Sequence, residues 1–247
     1  MAVVRRVRVF AGPNGSGKTT LFRALSKEHS EHGVFRGEPF VNADDVEHEL
    51  RETRGVDLRR YRLSLSQSDV EQGFADLGWE TDAGSLLRVN GVRLEWGSSD
   101  ISPYTAAAIA ALLREKMLIA RRSFSFETVM SHPSKVEFLG KARAADYRTY
   151  LYFVATDAVE LNVRRVEVRE RSGGHAVPEQ KIRERYLRSL ALLPAALLHA
   201  DRAYLFDNSS AQHVLLAEAS VGKIIAIHLE DDEQPDWFRK LLSSLNL

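Results

Sequence analysis

The chain has 247 residues, 44% of them hydrophobic, with 34 Lys plus Arg balanced by 34 Asp plus Glu and no cysteine. That length suits one sizeable α/β domain, the absence of a basic excess argues against a nucleic-acid partner, and the missing thiols exclude disulfides, thiolate metal sites and cysteine nucleophiles. No run approaches the roughly 18 apolar residues of a membrane span, and the N-terminus is interrupted by arginines, so no membrane contact and a cytoplasmic location are expected.

Residues 3–10 (VVRRVRVF) read as a strand that ends at a Gly-Pro-Asn-Gly turn, and the pattern changes to helix from Lys18, with Leu21, Ala24 and Leu25 on one face. A short strand from Pro39 to Asn42 stops at Ala43-Asp44-Asp45, where a charged helix begins. Residues 62–100 read as an insertion built on a β-hairpin, because Asn90-Gly91 separates two alternating runs. A helix over 103–122, a strand from Ser123 to Phe126, a helix over 133–145 and a strand from Tyr150 to Ala155 follow. After them come an Arg-rich helix (157–171), a Gly173-Gly174 turn and a long helix opened by Pro178. A strand at 203–207, a hairpin over 213–229 and an amphipathic helix close the chain. Alternating strands and helices predict a single α/β domain over 1–247, with a mostly parallel sheet flanked by helices. Ligands in such folds sit at the carboxyl ends of the strands, here just after residues 10, 42, 126, 155 and 207.

The segment Gly12-Pro13-Asn14-Gly15-Ser16-Gly17-Lys18-Thr19 matches the Walker A pattern in full, and it lies between a predicted strand and a predicted helix as that motif requires. Its backbone N–H groups would cradle the phosphates of ATP, Lys18 would reach the β and γ oxygens, and the Thr19 hydroxyl would ligate Mg²⁺. Thr20 completes the nucleotide-binding set. Asp44 closes the second strand and could accept the proton of an attacking hydroxyl, although an Asp at 44 or 45 also suits a helix cap. Glu127 and Thr128 end the third strand, where they could hold a substrate hydroxyl or complement a helix dipole. Arg165 and Arg169 lie four apart on one helix face and could neutralise a transferring phosphoryl group, with 157–185 acting as a lid; a solvated face paired with Glu167 and Glu170 is the plainer alternative. The strand Ala203–Asp207 has the shape of a Walker B segment. Asp207 is therefore open to a Mg²⁺ role or to a structural, adenine-side one.

In order, the strings GPNGSGKTT, NADD, FET, RRVEVRERSGGHAVPE, IRERY and FDNS resemble the zeta-toxin family of P-loop kinases over roughly residues 5–60 and 104–210. The resemblance implies a nucleotide-kinase-like fold and ATP-dependent phosphorylation of a small-molecule hydroxyl, in that family the 3′-hydroxyl of UDP-N-acetylglucosamine, together with a protein antitoxin. It implies Asp44 as the catalytic carboxylate, Glu127 and Thr128 as substrate contacts, and Arg165 and Arg169 as lid residues. His175 stands at a turn where some members carry another arginine. The Gly-Gly-His form belongs to a broader zeta-like group, so the acceptor could instead be a nucleotide, NAD or an antibiotic. The 62–100 segment has no counterpart in the toxin pattern. A reading of another class is an ATP-dependent switch that uses this segment to bind a partner.

Overall fold

A computed structural model describes residues 4–28, 38–78, 86–98, 100–172 and 176–246. His175 with its Gly-Gly turn, and residues 79–85 of the expected insertion, lie outside them. The chain forms two compact units, one made of 1–36 with 127–247 and the other of 37–126. The first unit opens with β1 (Arg6–Ala11) and α1 (Lys18–Glu28). The second carries β2 (Phe40–Val41), α2 (Ala43–Thr53), β3 (Gly55–Asp57), α3 (Gln67–Asp76), β4 (Leu87–Asn90), β5 (Arg93–Trp96) and α4 (Pro103–Ile119). Strand β6 (Phe124–Thr128) runs to the boundary, and its last two residues begin the return to the first unit. There follow α5 (Ser134–Ala144), β7 (Arg148–Ala155), α6 (Val159–Arg171), α7 (Glu179–Leu198), β8 (Arg202–Asp207), β9 (Val214–Ser220), β10 (Lys223–Ile227) and α8 (Asp236–Ser244).

In the first unit the strands run in the order β10-β9-β8-β7-β1. β1 and β8 both pair with β7 in parallel, while β9 and β10 add an antiparallel margin. Parallel pairing in register (Ala11 opposite Phe153, Ala155 opposite Asp207) sets the carboxyl ends of β1, β7 and β8 side by side. The central strands read as apolar runs because they are buried: Val7, Val9, Leu151, Phe153 and Leu205 have no exposed surface. Together these features make an α/β fold with a largely parallel sheet, as the alternation of elements predicts. No helix among the described residues is long and apolar enough to cross a membrane.

In the second unit β2 pairs with β6 in parallel, and β3, β5 and β4 form a separate antiparallel sheet. The compact unit is thus larger than the 62–100 insertion read from sequence, since β3 pairs with β5 of the hairpin. The hairpin itself is present, but its turn is one residue later than expected. Asn90 pairs with Arg93, so the loop is Gly91-Val92, with positive φ at Gly91 and not at Val92. Asn90 is instead part of the ladder, and its amide donates to Glu95 Oε1 (3.0 Å).

The tight turn with positive φ at both positions is in the other hairpin, where Val221 (φ 46°) and Gly222 (φ 79°) join β9 to β10. Asn-Gly suits such a turn, whereas a β-branched residue is strained in the left-handed region. Val221→Asn should therefore raise stability by about 1 kcal/mol, measured as a higher urea midpoint with an unchanged slope.

Candidate active site

The phosphate loop of the first unit follows β1 and leads into α1. Its curl depends on glycine at two close approaches. Gly12 has φ 139°, and a Cβ there would lie 2.0 Å from the Val154 carbonyl oxygen. Gly17 has φ 98°, and its Cβ would meet the Asn208 amide at 2.2 Å. Pro13 turns its carbonyl inward, where it accepts from the Ser16 N–H (3.3 Å) and the Lys18 ammonium (2.8 Å). Lys18 is buried, and its Nζ also stands 3.7 Å from Glu127 Oε1. The Thr19 hydroxyl donates to Glu127 Oε2 (2.7 Å). Thr20, one residue on, is exposed.

One carboxylate therefore gathers the Walker lysine and threonine. The sequence reading gives Glu127 an acceptor contact; the geometry adds a partnership with the two residues expected to hold phosphate and Mg²⁺. A hydroxyl and a carboxylate oxygen in contact form the oxygen donor set that suits Mg²⁺, which takes few protein ligands and completes its shell with phosphate and water. Among the buried donors of this unit that have no protein partner are the Ser16 hydroxyl of the loop and Nη1 of Arg165 on α6. Glycine-permitted close packing, a buried ammonium and unpartnered donors are features that fit a phosphate chain.

Side chains from elsewhere in the first unit hold the loop. On α6, Asn162 has no exposed surface and donates from Nδ2 to the Asn14 carbonyl (2.6 Å). Its Oδ1 accepts from the Thr156 hydroxyl, and the Thr156 carbonyl accepts from the Tyr186 hydroxyl (2.6 Å). Burial pushes the Tyr186 phenol up to about 12, which keeps it protonated and a donor at any physiological pH. Asn208, just past β8, donates to the Ser16 carbonyl (2.8 Å). His213 Nε2 meets the Gly17 carbonyl at 3.1 Å. A carbonyl can only accept, so Nε2 carries the proton. Burial lowers the His213 pKa, the bond to Gly17 opposes that shift, and the charge of Arg165 adds to it.

The remaining expected residues are placed as follows. Asp207 spends its carboxylate on bonds from Trp237 Nε1 (3.0 Å), the Ser209 N–H (2.7 Å) and the Ser209 hydroxyl (3.0 Å), which accords with the structural option and not with a Walker B role. Arg165 is half-buried and Arg169 is exposed, one turn further along α6. That helix is anchored through Asn162 and through Val163 and Val166, which are buried with Ile182 of α7. Thr128 is buried, and its hydroxyl oxygen accepts the Met130 N–H (3.1 Å). Asp44 belongs to the second unit, where it is exposed at the second position of α2. Neither it nor Asp45 caps that helix: the cap is Asn42, whose side chain accepts from the Asp44 N–H (2.9 Å).

No family model and no curated protein matches this chain. Among solved structures, a chain of the AvrRxo1-ORF1:AvrRxo1-ORF2 complex with sulphate ions is similar over 100% of this chain and 66% of that one, at 10% identity and a TM-score of 0.59. The same pair crystallised with ATP gives 12% identity, 100% and 65% coverage and a TM-score of 0.58. This chain thus spans slightly less than two thirds of the length of the chains it matches there. A chain of the PezAT chromosomal toxin-antitoxin system of Streptococcus pneumoniae is similar over 99% of this chain and 88% of that one, at 14% identity and a TM-score of 0.49, too low to add to the assignment. The likeness to the AvrRxo1 complex shows a shared α/β fold, in which the Walker A segment of this chain joins β1 to α1.

Proposed function

We propose that this chain is an ATP-dependent phosphotransferase that moves the γ-phosphoryl group of ATP to a hydroxyl of a small molecule. The observation that carries the reading is the convergence of Lys18 and Thr19 on Glu127, at the end of a loop whose glycines allow close approach to phosphate. In this reading Gly12 to Thr20 bind the nucleotide, and Lys18 turns from the Pro13 carbonyl to the phosphate oxygens. A Mg²⁺ bound with ATP would be held by Thr19, beside Glu127, and would neutralise charge on the β and γ oxygens. Asp44 takes the proton of the acceptor hydroxyl as its oxygen bonds to phosphorus, and ADP leaves. Arg165 and Arg169 offset the charge of the transferring group. Glu127 and Thr128, with His175, contact the acceptor.

The motif resemblance favours a nucleotide sugar such as a UDP-N-acetyl sugar as acceptor, with a nucleotide, NAD or an antibiotic as the other candidates. A protein antitoxin is the proposed partner, and the similar chain of the AvrRxo1-ORF1:AvrRxo1-ORF2 pair, crystallised as a complex of two proteins, offers a parallel. The test is to incubate the purified protein with γ-labelled ATP and each acceptor class in turn. Label is expected on one hydroxyl acceptor, in amounts stoichiometric with ADP. ATP hydrolysis that leaves every acceptor unlabelled, together with a nucleotide-dependent protein partner, would replace the kinase reading with that of a switch.

A further inference from the structure

Three peptide groups of the phosphate loop are oriented by side chains that lie outside the motif. The described residues contain no cis peptide bond, and in a trans peptide the C=O and N–H point to opposite sides. A bond that holds the Asn14 carbonyl outward therefore aims the Gly15 N–H inward. By the same geometry, the bond to the Ser16 carbonyl aims the Gly17 N–H, and the Gly17 carbonyl, held jointly by His213 and by the first helical bond from the Leu21 N–H (3.0 Å), aims the Lys18 N–H. Such inward N–H groups are what a loop of this kind offers to phosphate oxygens. Lys18 is the first residue of α1, so its N–H has no partner within the helix.

Two of the three donors are themselves fixed. Asn162 is buried and bonded to Thr156. Asn208 is buried, and its own N–H donates to the Ala155 carbonyl (2.8 Å). The neighbouring Asp207 is tied to Trp237 on α8. A loop with three glycines has much backbone freedom to lose on binding, and bonds that remove it beforehand reduce that cost.

We propose that Asn208 and His213 are positioning residues of the nucleotide site, which hold the Gly17 and Lys18 N–H groups toward the phosphates before ATP arrives, and that Asn162 does the same for Gly15. The assignment rests on the nucleotide-binding reading. It extends that reading to three residues that lie outside the Walker motif. Their substitution weakens ATP without removing any group that touches the γ-phosphate.

The experiment is calorimetric titration of the full chain with Mg-ATP, paired with measurement of KM for ATP and kcat. Asn208→Ala and His213→Asn are each expected to weaken ATP about fivefold to tenfold, the effect of losing one net hydrogen bond. The loss should lie mainly in KM. His213→Gln carries an N–H at the same number of bonds from Cβ as the imidazole Nε2, and should bind within about twofold of the unsubstituted chain. Asn208→Asp, which sets a carboxylate against the Ser16 carbonyl, should be worse than Asn208→Ala. If Asn208→Ala lowers the unfolding midpoint too far to titrate, the His213→Gln and His213→Asn pair decides the matter. Equal ATP affinity in that pair, or unchanged affinity in Asn208→Ala, overturns the positioning role. Failure of the unsubstituted chain to bind ATP overturns the nucleotide reading itself.

Discussion

Lys18→Ala is expected to abolish phosphoryl transfer, with kcat falling by about a thousandfold or more, the scale seen when one preorganised charge that stabilises a transition state is removed. Lys18 is the buried cation of the loop, 2.8 Å from the Pro13 carbonyl and 3.7 Å from Glu127. Alanine offers no substitute for the ammonium, and ATP affinity should fall as well. The substitution also removes the ammonium beside Glu127, while the bond from Thr19 remains. Loss of a buried ion-pair partner can cost about 3–5 kcal/mol, so the urea midpoint is measured alongside transfer of labelled phosphate. Transfer at more than a tenth of the original rate in a folded Lys18→Ala chain would rule out the assigned role.

Asp44→Asn should separate chemistry from binding. A positioned general base contributes about a hundredfold to ten-thousandfold, so transfer should fall by that factor while the ATP affinity stays unchanged. The bond that caps α2 runs from the Asp44 backbone N–H to Asn42 and survives the substitution. Removing one charge from an exposed position in the first turn of a helix costs about 0.3–1 kcal/mol through the helix dipole. The urea midpoint of the variant, measured alongside transfer, separates lost chemistry from lost folding. Asp44 is exposed on the second unit, which suits a group that meets a diffusible acceptor. If Asp44→Asn phosphorylated the acceptor at full rate, the proton would have to leave by another route, and Asp45, also in the first turn, would be the next residue to substitute.

These two outcomes would be read together with the Asn208 and His213 variants. Loss of chemistry with binding intact, loss of both, and loss of affinity with chemistry intact are three separate signatures. They correspond to Asp44, to Lys18, and to Asn208 with His213.

The sequence by itself determined the order and type of the main elements and marked the glycine loop as the candidate phosphate site. Both rest on local properties. A Walker motif is contiguous, its glycines answer to φ requirements at single residues, and hydrophobic periodicity is written into each helix and strand. The rule that ligands gather at strand carboxyl ends also pointed to the stretches after residues 155 and 207, where Thr156 and Asn208 stand. It could not say which residues there would reach the loop. Tertiary structure decided that. Asn162, Asn208 and His213 contact it across 148, 192 and 196 residues of chain, and Glu127 meets Thr19 across 108. Parallel pairing of β1, β7 and β8 brings the segments that follow them together, and a single asparagine or histidine carries no local sign of the carbonyl it will meet. The same distance dependence explains Asp207, whose string fits a Walker B strand while its carboxylate is committed to Trp237 and Ser209. The glycine loop specifies a phosphate site locally; the side chains that hold it in position are fixed only when three strand ends align.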